Sequence, residues 1–118
     1  MKKKEGEAAF NLTYASYIKS AKARGYPFEL TKEEFAEIVM QPCVYCGDVL
    51  TQEKYRKTMN GSFKYTGIDR YDNTKGYVIG NCVPCCKKCN RIKTDMDVNE
   101  LKDRLTKIMA RVDIWSQL

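Results

Sequence analysis

Two cysteine pairs of identical spacing, Cys43-x-x-Cys46 and Cys86-x-x-Cys89, constrain this chain more than any other feature. Two residues between thiolates let each pair supply adjacent corners of a tetrahedron, and Gly47 relieves crowding where the backbone turns back over a metal. The chain contains no histidine. Structural zinc on Cys43, Cys46, Cys86 and Cys89 is therefore the expectation, with the second pair at the start of a helix in a treble-clef arrangement. Cys85 competes with Cys86 for the fourth corner, but joining it to Cys89 requires a three-residue gap, so the two-residue pair is preferred. Cys82 and Cys85 are read as core residues.

At 118 residues the chain is too short for two independent hydrophobic cores, and a domain of this size often depends on a metal or a partner subunit. A single domain over 1–118 is expected, with a helical flank at 1–41, a metal-bound core at 42–96 and a C-terminal helix at 97–118. No apolar stretch is long enough to span a membrane. The opening Met1-Lys2-Lys3-Lys4-Glu5 leads into no hydrophobic region, so a cytoplasmic, intracellular location is expected, where thiols serve metal rather than disulfides. Twenty-one basic against 15 acidic residues give a net charge of +6, which suits a polyanionic partner.

Along the chain, residues 1–6 read as a frayed basic tail. Ala8, Leu12, Ala15, Ile18 and Ala21 recur at helical spacing up to about Arg24, where Gly25-Tyr26-Pro27 ends the run. Thr31 and Glu34 form a capping-box pattern ahead of a second helix that buries Phe35, Ile38 and Val39 and stops before Pro42. Asn60-Gly61 suggests a surface hairpin or loop. Phe63 to Arg70 reads as one strand, residues 72–76 as a turn, and Tyr77-Val78-Ile79 as the start of a second strand that Pro84 breaks. A helix from about Cys86 to Asp95 follows. Asp97-x-x-Glu100 caps a last helix whose apolar face is Val98, Leu101, Leu105, Ile108, Val112 and Trp115, with Trp115 in the core. The fold class is α+β.

Between and across the cysteine pairs run Gly67-Ile68-Asp69-Arg70-Tyr71-Asp72-Asn73, then Asn81, then Cys89-Asn90-Arg91-Ile92-Lys93. This stretch resembles the HNH, or ββα-metal (His-Me finger), endonucleases with a zinc-bound core, over about residues 42–96. The resemblance implies that Asp69 and Asn90 hold one catalytic divalent cation, Mg²⁺ or Mn²⁺, and that Asn81 bonds across the loop to orient the base position. One carboxylate and one amide oxygen suit such a hard ion and leave room for water and a phosphate.

The family's usual base is absent, since Arg70 stands where a histidine belongs and stays protonated at ordinary pH. Arg70 can instead grip the scissile phosphate. Some members of the family, restriction enzymes among them, read Asp-Arg here, and in these a tyrosine in the zinc knuckle is the proposed activating group or nucleophile. That position is Tyr45, whose pKa a nearby guanidinium and divalent ion would lower. Tyr71, at the strand end, and Tyr26, approaching from outside, are weaker alternatives, and Tyr77 is expected to pack in the hairpin. Lys87, Lys88, Arg91 and Lys93 crowd the helix that carries Asn90 and are read as phosphate contacts, extended by Lys19, Lys22 and Arg24. The resulting expectation is a metal-dependent endonuclease acting on double-stranded DNA, of restriction, homing, phage or mobile-element type; the compactness of the chain favours action as a homodimer, each subunit cutting one strand. A zinc-dependent DNA-binding module that has lost cleavage is the rival, and an RNA-directed nuclease is a third reading.

Overall fold

The structure, a computed structural model, describes residues 4–118. It opens with helix α1 (Glu7–Ala23), and the part of the expected basic tail at residues 1–3 lies outside the described residues. Lys4 to Gly6 form the turn that starts α1, and the Gly6 N–H donates to the Asn60 carbonyl at 2.7 Å. The buried face of α1 keeps Ala21 from the expected stripe but is otherwise rotated away from it. Ala9, Thr13 and Ala21 are buried and Phe10, Tyr14 and Tyr17 pack on the core, whereas Ala15 and Ile18 face solvent. The rings bury far more apolar area than the alanines of the competing stripe, and they decide the rotation of the helix. Their common target is Phe35 on α2 (Lys32–Val39), whose ring centroid lies 5.9, 5.3 and 5.3 Å from those of Phe10, Tyr14 and Tyr17. The capping box forms as the sequence indicates, with Glu34 N–H on Thr31 Oγ1 at 3.1 Å and Thr31 N–H on Glu34 Oε1 at 2.8 Å.

The expected single strand from Phe63 to Arg70 is two strands in two sheets. β1 (Gln52–Lys54) pairs antiparallel with β2 (Phe63–Tyr65), and β3 (Ile68–Arg70) pairs antiparallel with β4 (Cys82–Pro84). The break falls at Thr66-Gly67. Gly67 has φ 129°, and a Cβ there would come within 2.5 Å of the Cys85 carbonyl oxygen, so only glycine lets the chain pass from one sheet to the other. Thr66, fully buried, bolts the break to its surroundings. Its N–H donates to Val39 O at 2.7 Å, its hydroxyl donates to Gln41 O at 2.7 Å and accepts from Leu50 N–H at 3.1 Å. The second strand of the pair begins at Cys82 rather than Tyr77, because the Val78–Asn81 turn, with Gly80 at φ 88°, occupies the intervening residues.

Helix α3 (Lys87–Lys93) starts at Cys86, and α4 (Val98–Met109) starts at Asp97, whose side chain accepts from Glu100 N–H at 2.8 Å. A short α5 (Val112–Trp115) follows. The C-terminal apolar stripe has the expected spacing but little to cover it. Leu101 is buried, Leu105 and Ile108 are about two-fifths exposed (41% and 38%), and Trp115, expected in the core, is 52% exposed. The radius of gyration is 16.7 Å, against about 13–14 Å for a compact chain of this length. Those extra ångströms fit a C-terminal segment that packs only through its first turn. The fold is α+β, helices combined with two small antiparallel sheets. Among the described residues no helix is long and apolar enough to cross a membrane.

The rotation of α1 has a direct check. Phe35→Ala should lower the unfolding free energy by about 3–5 kcal/mol, read as an earlier urea midpoint, whereas Ile18→Ala should stay within about 0.5 kcal/mol of wild type. Equal losses would mean that the Ile18 face packs after all.

Candidate active site

The Cys43–Cys46 knuckle follows α2, and the Cys86–Cys89 pair forms the first turn of α3. Their four Sγ atoms all lie within 4.8 Å of one another, and Cys46 and Cys86 are 3.7 Å apart. A tetrahedral Zn²⁺ with Zn–S bonds of about 2.3 Å needs S···S edges of about 3.8 Å. The four cysteines therefore fit a structural metal ion such as zinc. The surrounding amides fit it too: Asp48 N–H points at Cys46 Sγ (3.5 Å) and Cys89 N–H at Cys86 Sγ (3.4 Å). Desolvation raises the Cys43 pKa, but backbone N–H groups of Cys86, Cys46 and Tyr45 more than reverse this and bring it down to about 6. Cys85 is outside the cluster. Its thiol is buried and contacts the Cys86 carbonyl at 3.4 Å, and burial pushes its pKa up.

The β3–β4 pair extends from this frame. Its register sets Asp69 opposite Val83 and Arg70 opposite Cys82. Ile68, Asp69 and Arg70 are all buried, so the strand is covered on both faces. Asp69, 4% exposed, has two partners: the Tyr45 hydroxyl donates to Oδ2 at 2.7 Å, and Lys93 Nζ lies 3.2 Å from Oδ2 and 3.4 Å from Oδ1. Tyr45 is thereby pushed the opposite way from expectation. Burial and then the bond to the Asp69 carboxylate raise its pKa, so the resting phenol is a hydrogen-bond donor held protonated.

Arg70 is used by the fold. Its Nη1 donates to the carbonyls of Asn73 and Lys75, both at 2.8 Å, and its guanidinium lies 3.5 Å from the centre of the Tyr26 ring. It clamps the turn after β3 while lining a polar cavity of about 60 Å³ together with Asp69, Asn90 and Arg24. Asn81 staples the same turn from the other side. Its Oδ1 accepts from Asp72 N–H at 2.8 Å, and its Nδ2 donates to the carbonyls of Gly76 (2.9 Å) and Asp72 (3.1 Å). Tyr77 is buried in the aromatic core, and Tyr71 is half exposed.

Lys93 departs from its expected role. The basic run on the helix points to a phosphate contact, but the Lys93 side chain is fully buried and paired with Asp69. A buried ammonium requires such a partner, and it is not offered to a ligand outside. The helix itself carried the signal: Lys93 lies four residues after Cys89 and so on the same face as the metal ligands. Lys87, Lys88 and Arg91 do face solvent, beside a groove of about 330 Å³ that Thr51 and Gln52 also line. Arg24, at the end of α1, was placed only in the outlying footprint, yet it lines the Asp69 cavity, with its guanidinium 5.2 Å from the Tyr26 ring centre.

No family model matches the chain. It is 39% identical over 85 residues to an uncharacterized protein of Acanthamoeba polyphaga mimivirus, a match that takes in 72% of this chain but 14% of the viral protein. This chain thus corresponds to a small part of that relative. In three dimensions the chain is similar to the rare-cutting HNH restriction endonuclease PacI. The TM-score is 0.61 at 24% identity, over 86% of this chain and 77% of PacI. The fold is HNH-like. At that identity the likeness is one of architecture.

Ligand assignment can be checked on the protein as purified. Cys89→Ser should lose bound zinc, counted by plasma mass spectrometry, together with the cooperative unfolding transition. Cys82→Ser, outside the cluster, should keep one zinc per chain; loss of zinc there would undo the assignment.

Proposed function

We propose that this chain is a divalent-metal-dependent endonuclease that hydrolyses phosphodiester bonds in double-stranded DNA. The observation that carries the reading is the placing of Asp69, Asn90 and Arg70 on one small polar cavity beside the four-cysteine frame of an HNH-like fold. The donor set there, one carboxylate and one amide oxygen, fits a hard cation that keeps several water ligands. Bound at Asp69 and Asn90, such an ion supplies charge to polarise the phosphate and stabilise the leaving 3′ oxygen.

The chain's own residues have separate tasks in this reading. Tyr45 fixes the Asp69 carboxylate by its 2.7 Å bond, which makes it a positioning donor in the resting state and leaves its earlier role as nucleophile dependent on losing that bond. Arg70 keeps the turn shut with Nη1 and also lines the cavity, where a guanidinium suits a phosphate. Asn81 orients the same turn and touches no substrate. Lys87, Lys88 and Arg91 hold the duplex through its phosphates, which positions DNA without selecting sequence. For a double-strand cut, a homodimer with one strand per subunit is the corresponding assembly.

One observation favours the rival reading of a DNA-binding module without cleavage: Asp69 already has a cation, Lys93, at 3.2 Å. Supercoiled plasmid separates the two. Wild type with Mg²⁺ or Mn²⁺ should nick it, chelator should stop the reaction, and Asp69→Ala should abolish nicking while still shifting DNA in a gel. Binding without nicking by both proteins would leave only the binding module. Tyr45→Phe should retain zinc and DNA binding but cut more slowly, by about tenfold or more; an unchanged rate would remove Tyr45 from the site.

A further inference from the structure

The proposed chemistry does not use Lys93, the most completely buried charged group beside the site. Its side chain has no solvent exposure, and its ammonium reaches both oxygens of Asp69, at 3.2 and 3.4 Å. The cavity wall holds one carboxylate, Asp69, together with two arginines, Arg24 and Arg70. With Lys93 behind it, that single negative charge faces three positive ones. Asp97, the cap of α4, also feels the Lys93 charge but is fully occupied with solvent and its own helix.

We infer that Lys93 is the resident cation of this site: it neutralises Asp69 when no divalent ion is bound and competes with such an ion for the same carboxylate. The inference rests on the reading of Asp69 as a metal ligand. A carboxylate bridging an ammonium and a phenol has little charge left for a dication, and a dication placed there meets the ammonium across a dry interior where repulsion is poorly screened. Lys93 therefore holds the affinity for free metal low. Phosphate changes the balance. A phosphodiester brought in by the arginines adds the negative charge that the cavity lacks, so metal and DNA are bound together more readily than metal alone.

The arrangement also explains why a lysine is tolerated with no exposure. Removing its charge leaves Asp69 with Tyr45 as its one remaining direct partner, and the carboxylate then regains the full attraction for an added cation. Lys93→Met keeps the unbranched apolar stem up to Cε and removes the ammonium with its charge.

The test uses the full chain with its zinc, Mn²⁺ alone as probe, and free Mn²⁺ counted by electron paramagnetic resonance. Lys93→Met should bind Mn²⁺ about tenfold or more tightly than wild type, and adding Asp69→Asn to that variant should remove the gain. Equal or weaker binding by Lys93→Met would overturn the competition while leaving Asp69 as a ligand. Binding by neither protein above the level of Asp69→Asn would overturn the metal reading and this inference with it. Should Lys93→Met fail to hold zinc, wild type decides by side-chain NMR. The ¹⁵N ammonium signal of Lys93 should shift or exchange away as Mg²⁺ saturates the Asp69 site, and an unmoved signal at saturation would refute displacement.

Discussion

Everything near the candidate site depends on closing the chain between Cys46 and Cys86, two sulfurs 40 residues apart in sequence and 3.7 Å apart in space. Four thiols so close together are unfavourable as bare thiolates, because they repel, and favourable around a dication, which repays both repulsion and closure entropy. The short strands cannot do this alone: each sheet has two strands of three residues, below what is stable in water without a covering layer. The aromatic core under α1 and α2 provides that layer on one side. A metal on the four cysteines would secure the other, and fully buried Thr66 bonds to Val39, Gln41 and Leu50 between them.

Within this frame the placing of charge is economical but demanding. Asp69 and Lys93 are both buried, and each would be costly alone. Paired, with the Tyr45 hydroxyl as a third member, they make a small polar network in which no buried side-chain nitrogen or oxygen among the described residues lacks a partner. Arg70 is satisfied in the same way by two carbonyls and the Tyr26 ring. Arginine suits this position for a structural reason: one nitrogen, Nη1, donates to two carbonyls at once, which a single imidazole N–H does not.

How much of this was legible in the sequence follows from range. The cysteine spacing, the Thr31–Glu34 box and the Asp97 cap act over three or four residues, and each appears where the residues place it. The face of α1 was misjudged because periodicity alone admits two stripes, and only the position of Phe35 chooses the aromatic one. The strand from Phe63 to Arg70 was read as continuous because nothing local shows that a Cβ at Gly67 would strike the Cys85 carbonyl, a contact between distant segments. Trp115 was assigned to a core that the described residues do not build around it. Lys93 was misread for a different reason. Its neighbours Lys87, Lys88 and Arg91 are solvent-facing, and charge composition treats the four alike, whereas helix geometry does not.

That geometry joins the two metal questions into one. Helix α3 is capped by Cys86, carries Cys89 and Asn90 on its first turn, and ends at Lys93. Cys89 and Lys93 are four residues apart, one above the other on the inward face, with Asn90 beside them. A helix of seven residues is too short to hold itself in water, so its axis and rotation are set by what anchors its first turn. An ion on the cysteines therefore fixes the reach of Lys93 to Asp69 and the side from which Asn90 meets the cavity. Helix α3 thus ties the four-cysteine frame to the Asp69 cavity, although no side chain is common to both.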